Sequence, residues 1–138
     1  MSSFTRFSSQ LDLRYHSESV WEVLTPFSYD VASLGSGITV DIPKGFLFDG
    51  GSVPKSLWGI ISPWEENCGQ AFCVHDKLCV EQMLTYHQDS GKLVKVNISR
   101  KRCDEILEEA LNVLKVTPRK IDLIMAGVNL HRVVNGIE

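Results

Sequence analysis

The chain holds one adjacent histidine–aspartate pair, His75–Asp76, inside the otherwise apolar stretch GQAFCVHDKLCVEQML, residues 69–84. An imidazole is the side chain best suited to take a proton from water near neutral pH, provided a carboxylate fixes its tautomer. The candidate orienter is Asp104, in RCDEILEEAL, which follows Cys103 at the edge of another apolar stripe. A third group of candidates lies upstream in FLFDGGSVP, where Asp49, Gly50, Gly51 and Ser52 form turn chemistry. Consecutive glycines permit positive φ and close approach of the backbone to another group. Asp49 and Ser52 can each hydrogen-bond to the N–H groups of such a turn. The combination fits a His/Asp hydrolase: His75 as base, Asp104 as its orienter, and Asp76 and Asp49 holding a substrate group or a divalent cation.

Each residue also has a structural explanation. A histidine on an apolar face is commonly satisfied by a backbone carbonyl. Asp76 suits a solvated helix flank, and Asp104 suits the first turns of a helix, where the macrodipole favours a carboxylate. DGGS alone makes a tight turn.

The elements that would position these residues follow from periodicity. Before residue 50 short β-prone runs dominate: LDLRY (11–15), VWEVLTPFSYDV (20–31) and ITVDIP (38–43). Pro26 should break or edge the second run, since proline cannot donate to a ladder. Residues 51–66 read as a structured loop, with a short helical turn at most over 54–61. From 67 onward the pattern is helical, with helices expected near 67–84, 100–115 and 118–134. The first repeats Cys68, Ala71, Phe72, His75, Cys79 and Gln82 on one side. In the second, Cys103, Ile106, Leu107, Ala110 and Leu111 recur at helical spacing behind Ser99 as N-cap. Thr117 then Pro118 is a helix-start signal for the third. Between the first two helices, residues 85–99 are polar, turn at Asp89–Gly91 and suit a small hairpin. The fold expected is α+β: one domain over 1–138, with a small antiparallel sheet in the N-terminal part packed with a C-terminal three-helix layer.

Composition excludes several functions. With 43% apolar and 22% charged residues the chain is neither disordered nor fibrous. A net charge of -3 gives no reason to expect nucleic-acid binding, and the basic cluster SRKRC (99–103) reads as a solvated helix start. No apolar run is long enough for a membrane span, and MSSFTRFSSQ lacks the apolar core of a secretory signal. Cytoplasmic synthesis is therefore expected, with the four cysteines reduced. Their spacing matches no zinc or redox motif. No HExxH is present, which excludes a zincin. HD-domain phosphohydrolases need an upstream histidine on a helix, and His16 lies at a strand end.

Taken together, IPKGFLFDGGSVPKSLW, AFCVHDKL and RCDEILEEAL resemble a family of small, largely uncharacterised bacteriophage proteins, a domain of unknown function. The matching positions are Asp49, Ser52, Pro54, His75, Asp76 and Asp104. Two features depart from the pattern: Cys79 stands where tyrosine is frequent, and the insert at 85–99 is longer. The resemblance implies phage origin, with synthesis in the bacterial host cytoplasm and incorporation in the virion as a further option, but no particular reaction. A looser similarity is with secreted phospholipases, which also place an HD pair on one helix, a facing aspartate on another and a glycine-rich calcium loop upstream. This chain lacks their disulfide framework, so the similarity is one of mechanism only.

Three functional readings stay open: a small hydrolase, a non-catalytic virion or tail component, and a host-interaction or counter-defence binder. The last helix bears on the choice. Ile121, Ile124, Met125 and Val128 form one apolar face, and Leu123, Leu130 and Val134 form another. A helix apolar on two sides suits self-association or a phage or host protein partner, or else a central place in the core.

Overall fold

The computed structural model describes residues 6–17, 20–48 and 69–136. The N-terminal part forms β1 (Leu13–Ser17), β2 (Val20–Val23), β3 (Phe27–Asp30), β4 (Ile38–Ile42) and β5 (Leu47–Phe48). After them come α1 (Gly69–Glu81), β6 (Met83–His87), β7 (Leu93–Asn97), α2 (Arg100–Val113) and α3 (Pro118–Val134). The class is α+β. All pairings among these strands are antiparallel, in a three-stranded sheet ordered β1-β2-β5 and a four-stranded sheet ordered β3-β4-β6-β7.

Pro26 divides the long β-prone run as its missing N–H requires. β2 before it joins one sheet and β3 after it joins the other. One strand lies outside the β-prone runs named from the sequence: Leu47–Phe48 pairs with Trp21 and Glu22 of β2. The segment after α1 also does more than form an isolated hairpin, because β6 pairs with β4 as well as with β7. The sheet is therefore not confined to the N-terminal part.

The same pairing shortens the first helix, which ends at Glu81 rather than near 84. Gln82 takes a left-handed φ of 52° while its N–H still bonds the Leu78 carbonyl. Its own carbonyl accepts from Ile98 N, so the chain leaves the helix directly into the β6–β7 ladder. Leu84 then turns into the core and Thr85 is buried on the opposite face, whereas Met83 and Tyr86 are exposed. Ladder hydrogen bonds and burial of Leu84 outweigh the helical propensity of a Gln-Met-Leu tail.

Helices α2 and α3 begin where their caps predict. The Ser99 side chain accepts from Arg102 N at 3.0 Å, satisfying one of the N–H groups left open at a helix start. At α3 the cap is Thr117 with Pro118 next, but the threonine side chain makes no capping bond.

Helix α1 packs against β4 and against α2, and α3 packs against α2. Residues Gly69 to His75 are all buried, as is Leu78, so the first half of α1 is enclosed on every side rather than along one stripe. Both sheets and all three helices contribute to one apolar cluster, including Val23, Phe48, Tyr29, Phe72, Ile106 and Ile124. One polar network crosses it. Tyr29 O–H donates to Glu109 Oε2 and accepts from Arg6 Nη2 at 2.8 Å, and the Ala32 N–H reaches the same carboxylate. This ties β3 and the N-terminal segment to α2.

Among the described residues no helix is long and apolar enough to cross a membrane.

Candidate functional site

Helices α1 and α2 meet with His75 and Asp104 facing each other. The His75 Nε2 lies 2.7 Å from Asp104 Oδ1, and the two residues are 2% and 3% exposed. The other oxygen, Oδ2, accepts from Arg132 Nε of α3 at 2.8 Å. Arg132 is fixed in turn by its Nη2, which donates to Asn129 Oδ1 at 3.0 Å. One carboxylate thus gathers side chains from all three helices.

This arrangement assigns the ring's tautomer. A guanidinium is donor-only, so Asp104 accepts from Arg132, and its second oxygen is positioned to accept from an Nε2–H. In the neutral imidazole the lone pair then resides on Nδ1.

The Cys79 sulfur, one turn along α1, lies 3.6 Å from Nε2 and 3.9 Å from Nδ1 of His75. A thiol beside a histidine and an aspartate suggests a cysteine nucleophile, but the electrostatics oppose it. Burial pushes the Cys79 thiol up to about 12, with Arg100 only partly opposing the shift. Reactive cysteines are shifted the other way. Burial likewise raises Cys103 to about 11 and Cys73 well above its ordinary value. These thiols are packing groups, and Cys103 donates to the Leu78 carbonyl at 3.6 Å.

The dyad lines a cleft of about 370 Å³. Val20, Phe46, Phe48 and Val128 supply apolar wall. Asp76, Arg100, His131 and Arg132 join His75 and Asp104 as its polar lining. The cleft exists because β5 pairs with β2 and carries Phe48 to the mouth formed by the helices.

The candidate residues therefore divide in two. His75, Asp104 and Asp76 are brought to one cleft, the first two in direct contact. Asp49, Gly50, Gly51 and Ser52 lie outside the described residues, as do Cys68 and the helical turn expected over 54–61. Among the described residues, no group of three or more His, Cys, Asp or Glu side chains is placed to hold a metal ion.

A family model described as protein of unknown function (DUF1353) matches residues 21–128. The chain belongs to that family. The DUF1353 match includes His75, Asp76, Arg100 and Asp104 but stops before His131 and Arg132. Comparison with curated proteins and with solved structures gave no match.

Sequence reasoning missed Arg100, His131 and Arg132, which this DUF1353 chain brings to the cleft. Arg132 continues the buried positions Ile121, Met125 and Val128 at helical spacing, so a charge on that stripe was a readable signal for a buried partner. Arg100 was assigned to a solvated basic cluster. It is instead half-buried and lines the cleft, one helical turn before Asp104, while its neighbour Lys101 is exposed.

Proposed function

We propose that this DUF1353 protein is a bacteriophage accessory hydrolase in which His75 activates water and Asp104 holds its ring. The observation that carries the reading is the His75–Asp104 contact beside an open, partly apolar cleft. In this reading Nδ1, the ring nitrogen turned away from the Asp104 contact, is the atom that takes the proton. As a water oxygen bonds to an ester carbonyl carbon, His75 accepts one of its protons. It returns that proton to the leaving oxygen when the carbon–oxygen bond breaks, giving an acid and an alcohol. Arg132 is a positioning residue, acting through Asp104.

A divalent cation enters this reading only through Asp76 and Asp49. Both Asp104 oxygens already accept from protein donors, and the adjacent guanidinium opposes a second positive charge there. The phage setting is drawn from the resemblance of the DGGSVP, HDKL and CDEIL segments.

The exposed second face of α3 favours a binding role as the alternative. Leu130, Val133 and Val134 are each more than half exposed there, and Leu123 is partly so. A virion, tail or host protein partner, or a second copy of the chain, would cover such a face.

The deciding experiment is a screen of chromogenic carboxylic and phosphate esters with the wild-type chain and His75→Gln, with and without a chelator. Hydrolysis that falls by about 10²–10⁴-fold in the variant is the expected result, the usual worth of a positioned general base. No turnover of any ester, or turnover indifferent to His75, would leave the binding role. Loss on chelation that returns with calcium or magnesium would bring in the cation.

A further inference from the structure

The charges around the cleft are unevenly matched. Arg132 spends its Nε on Asp104 and an Nη on Asn129. Arg100 is different. Among the described residues it forms no ion pair, and its Nε is buried without a hydrogen-bond partner. A buried charged donor left unmet costs more than a neutral one, so its place needs a reason. Arg100 is the first residue of α2, where the helix start adds partial positive charge to that of the guanidinium.

We propose that Arg100 is the anion-binding subsite of the cleft, and that its ligand is a small apolar molecule bearing one carboxylate. The apolar part is set by the walls at Phe46, Phe48, Val80 and Val128. The size is set by a volume of about 370 Å³, near the lower end for small-molecule sites. The single charge is set by one guanidinium that makes no ion pair among the described residues, which one carboxylate would match. A planar guanidinium also matches a carboxylate with two parallel hydrogen bonds. The subsite stands on the cleft alone and would serve a binder as well as a hydrolase. If the cleft hydrolyses esters, Arg100 selects acidic ones, or retains the acid product.

Hexanoate, hexanol and inorganic phosphate, each titrated calorimetrically into the full chain, test this directly. None of the three offers a bond that the His75–Asp104 pair would cleave, so the result is independent of whether the protein is a hydrolase. Hexanoate should bind saturably and more tightly than hexanol or phosphate. Arg100→Met should weaken hexanoate by about tenfold or more, the worth of a charge-assisted contact, and leave hexanol unchanged. Arg100→Lys keeps the charge without the planar fork and should recover part of the loss. Unchanged circular dichroism of both variants separates this from misfolding. Equal binding of hexanoate and hexanol, phosphate binding more tightly than hexanoate, no binding of hexanoate, or indifference to Arg100→Met would each overturn the assignment.

Discussion

Asp104 meets His75 at Nε2, the ring nitrogen farther from the backbone, across a distance of 2.7 Å. The contact joins α1 to α2 and fixes which substitution can imitate the ring. An asparagine amide reaches only about as far as Nδ1, whereas a glutamine amide reaches the Nε2 position. His75→Asn should therefore leave Asp104 Oδ1 unmet and lower stability by about 1–3 kcal/mol, the cost of a buried polar atom without its partner. His75→Gln should keep the bond to Asp104 and lose distinctly less. Neither amide can take a proton from water, so any hydrolysis disappears in both. Urea midpoints of the two variants check the first statement, and turnover checks the second. Equal stability of the two would show that the Nε2 contact contributes nothing.

The carboxylate that receives His75 also receives Arg132, so the two bonds should be energetically coupled. Arg132→Met leaves a buried Asp104 with one partner fewer and is expected to cost about 2–3 kcal/mol, at the low end for breaking a buried pair because Arg132 is partly exposed. Asp104→Asn removes the charge that both partners address. In a double-mutant cycle on urea midpoints the Asp104–Arg132 interaction should come out at about 1–3 kcal/mol. Additive effects would show the guanidinium to be a solvated neighbour rather than a prop for the dyad.

How far the sequence could be read follows from what holds each element. α2 was legible because its stripe is amphipathic, and both α2 and α3 because their starts are marked by Ser99, Thr117 and Pro118. The break at Pro26 was legible because a missing donor is a local fact. The end of α1 was not, since Gln82 leaves the helix only because β4 and β7 offer Met83–His87 a ladder. β5 was hidden for the same reason, two residues being too few for any period. Within the site, the helical faces pointed to the His75–Asp104 pairing before any coordinates. Arg132 lies 28 residues beyond Asp104, and only the packing of α3 on α2 brings them together.

A similar long-range tie should be felt at Tyr29. Its hydroxyl joins Arg6 and Glu109, and burial with the neighbouring carboxylate pushes its ionisation far upward. Tyr29→Phe keeps the ring between Phe7 and the core but leaves Glu109 with fewer donors. A loss of about 1–2 kcal/mol is expected in urea unfolding, with no effect on ligand binding or turnover in the cleft, which neither Tyr29 nor Glu109 lines. A change in cleft function would show that the network transmits beyond β3 and α2.

The buried thiols give the protein a signature in alkali. Cys79 moves from an ordinary 9.0 to about 12, and Cys103 from 9.0 to about 11, burial being the main cause in both. Above pH 9 the unfolded chain releases these protons while the folded chain keeps them, so the unfolded state binds fewer protons. Stability is then fully present below pH 9 and falls as pH rises through the window up to about 11–12. Urea midpoints should be flat with respect to these groups from neutral pH to 9 and decline beyond it, and less steeply in Cys79→Ser. The same physics governs reactivity. With iodoacetamide near neutral pH, peptide mapping should find Cys73, Cys79 and Cys103 unmodified in the folded protein and alkylated once urea is added. Rapid labelling of Cys79 in the folded state would mean a thiolate beside His75, and the nucleophile would then be sulfur rather than water.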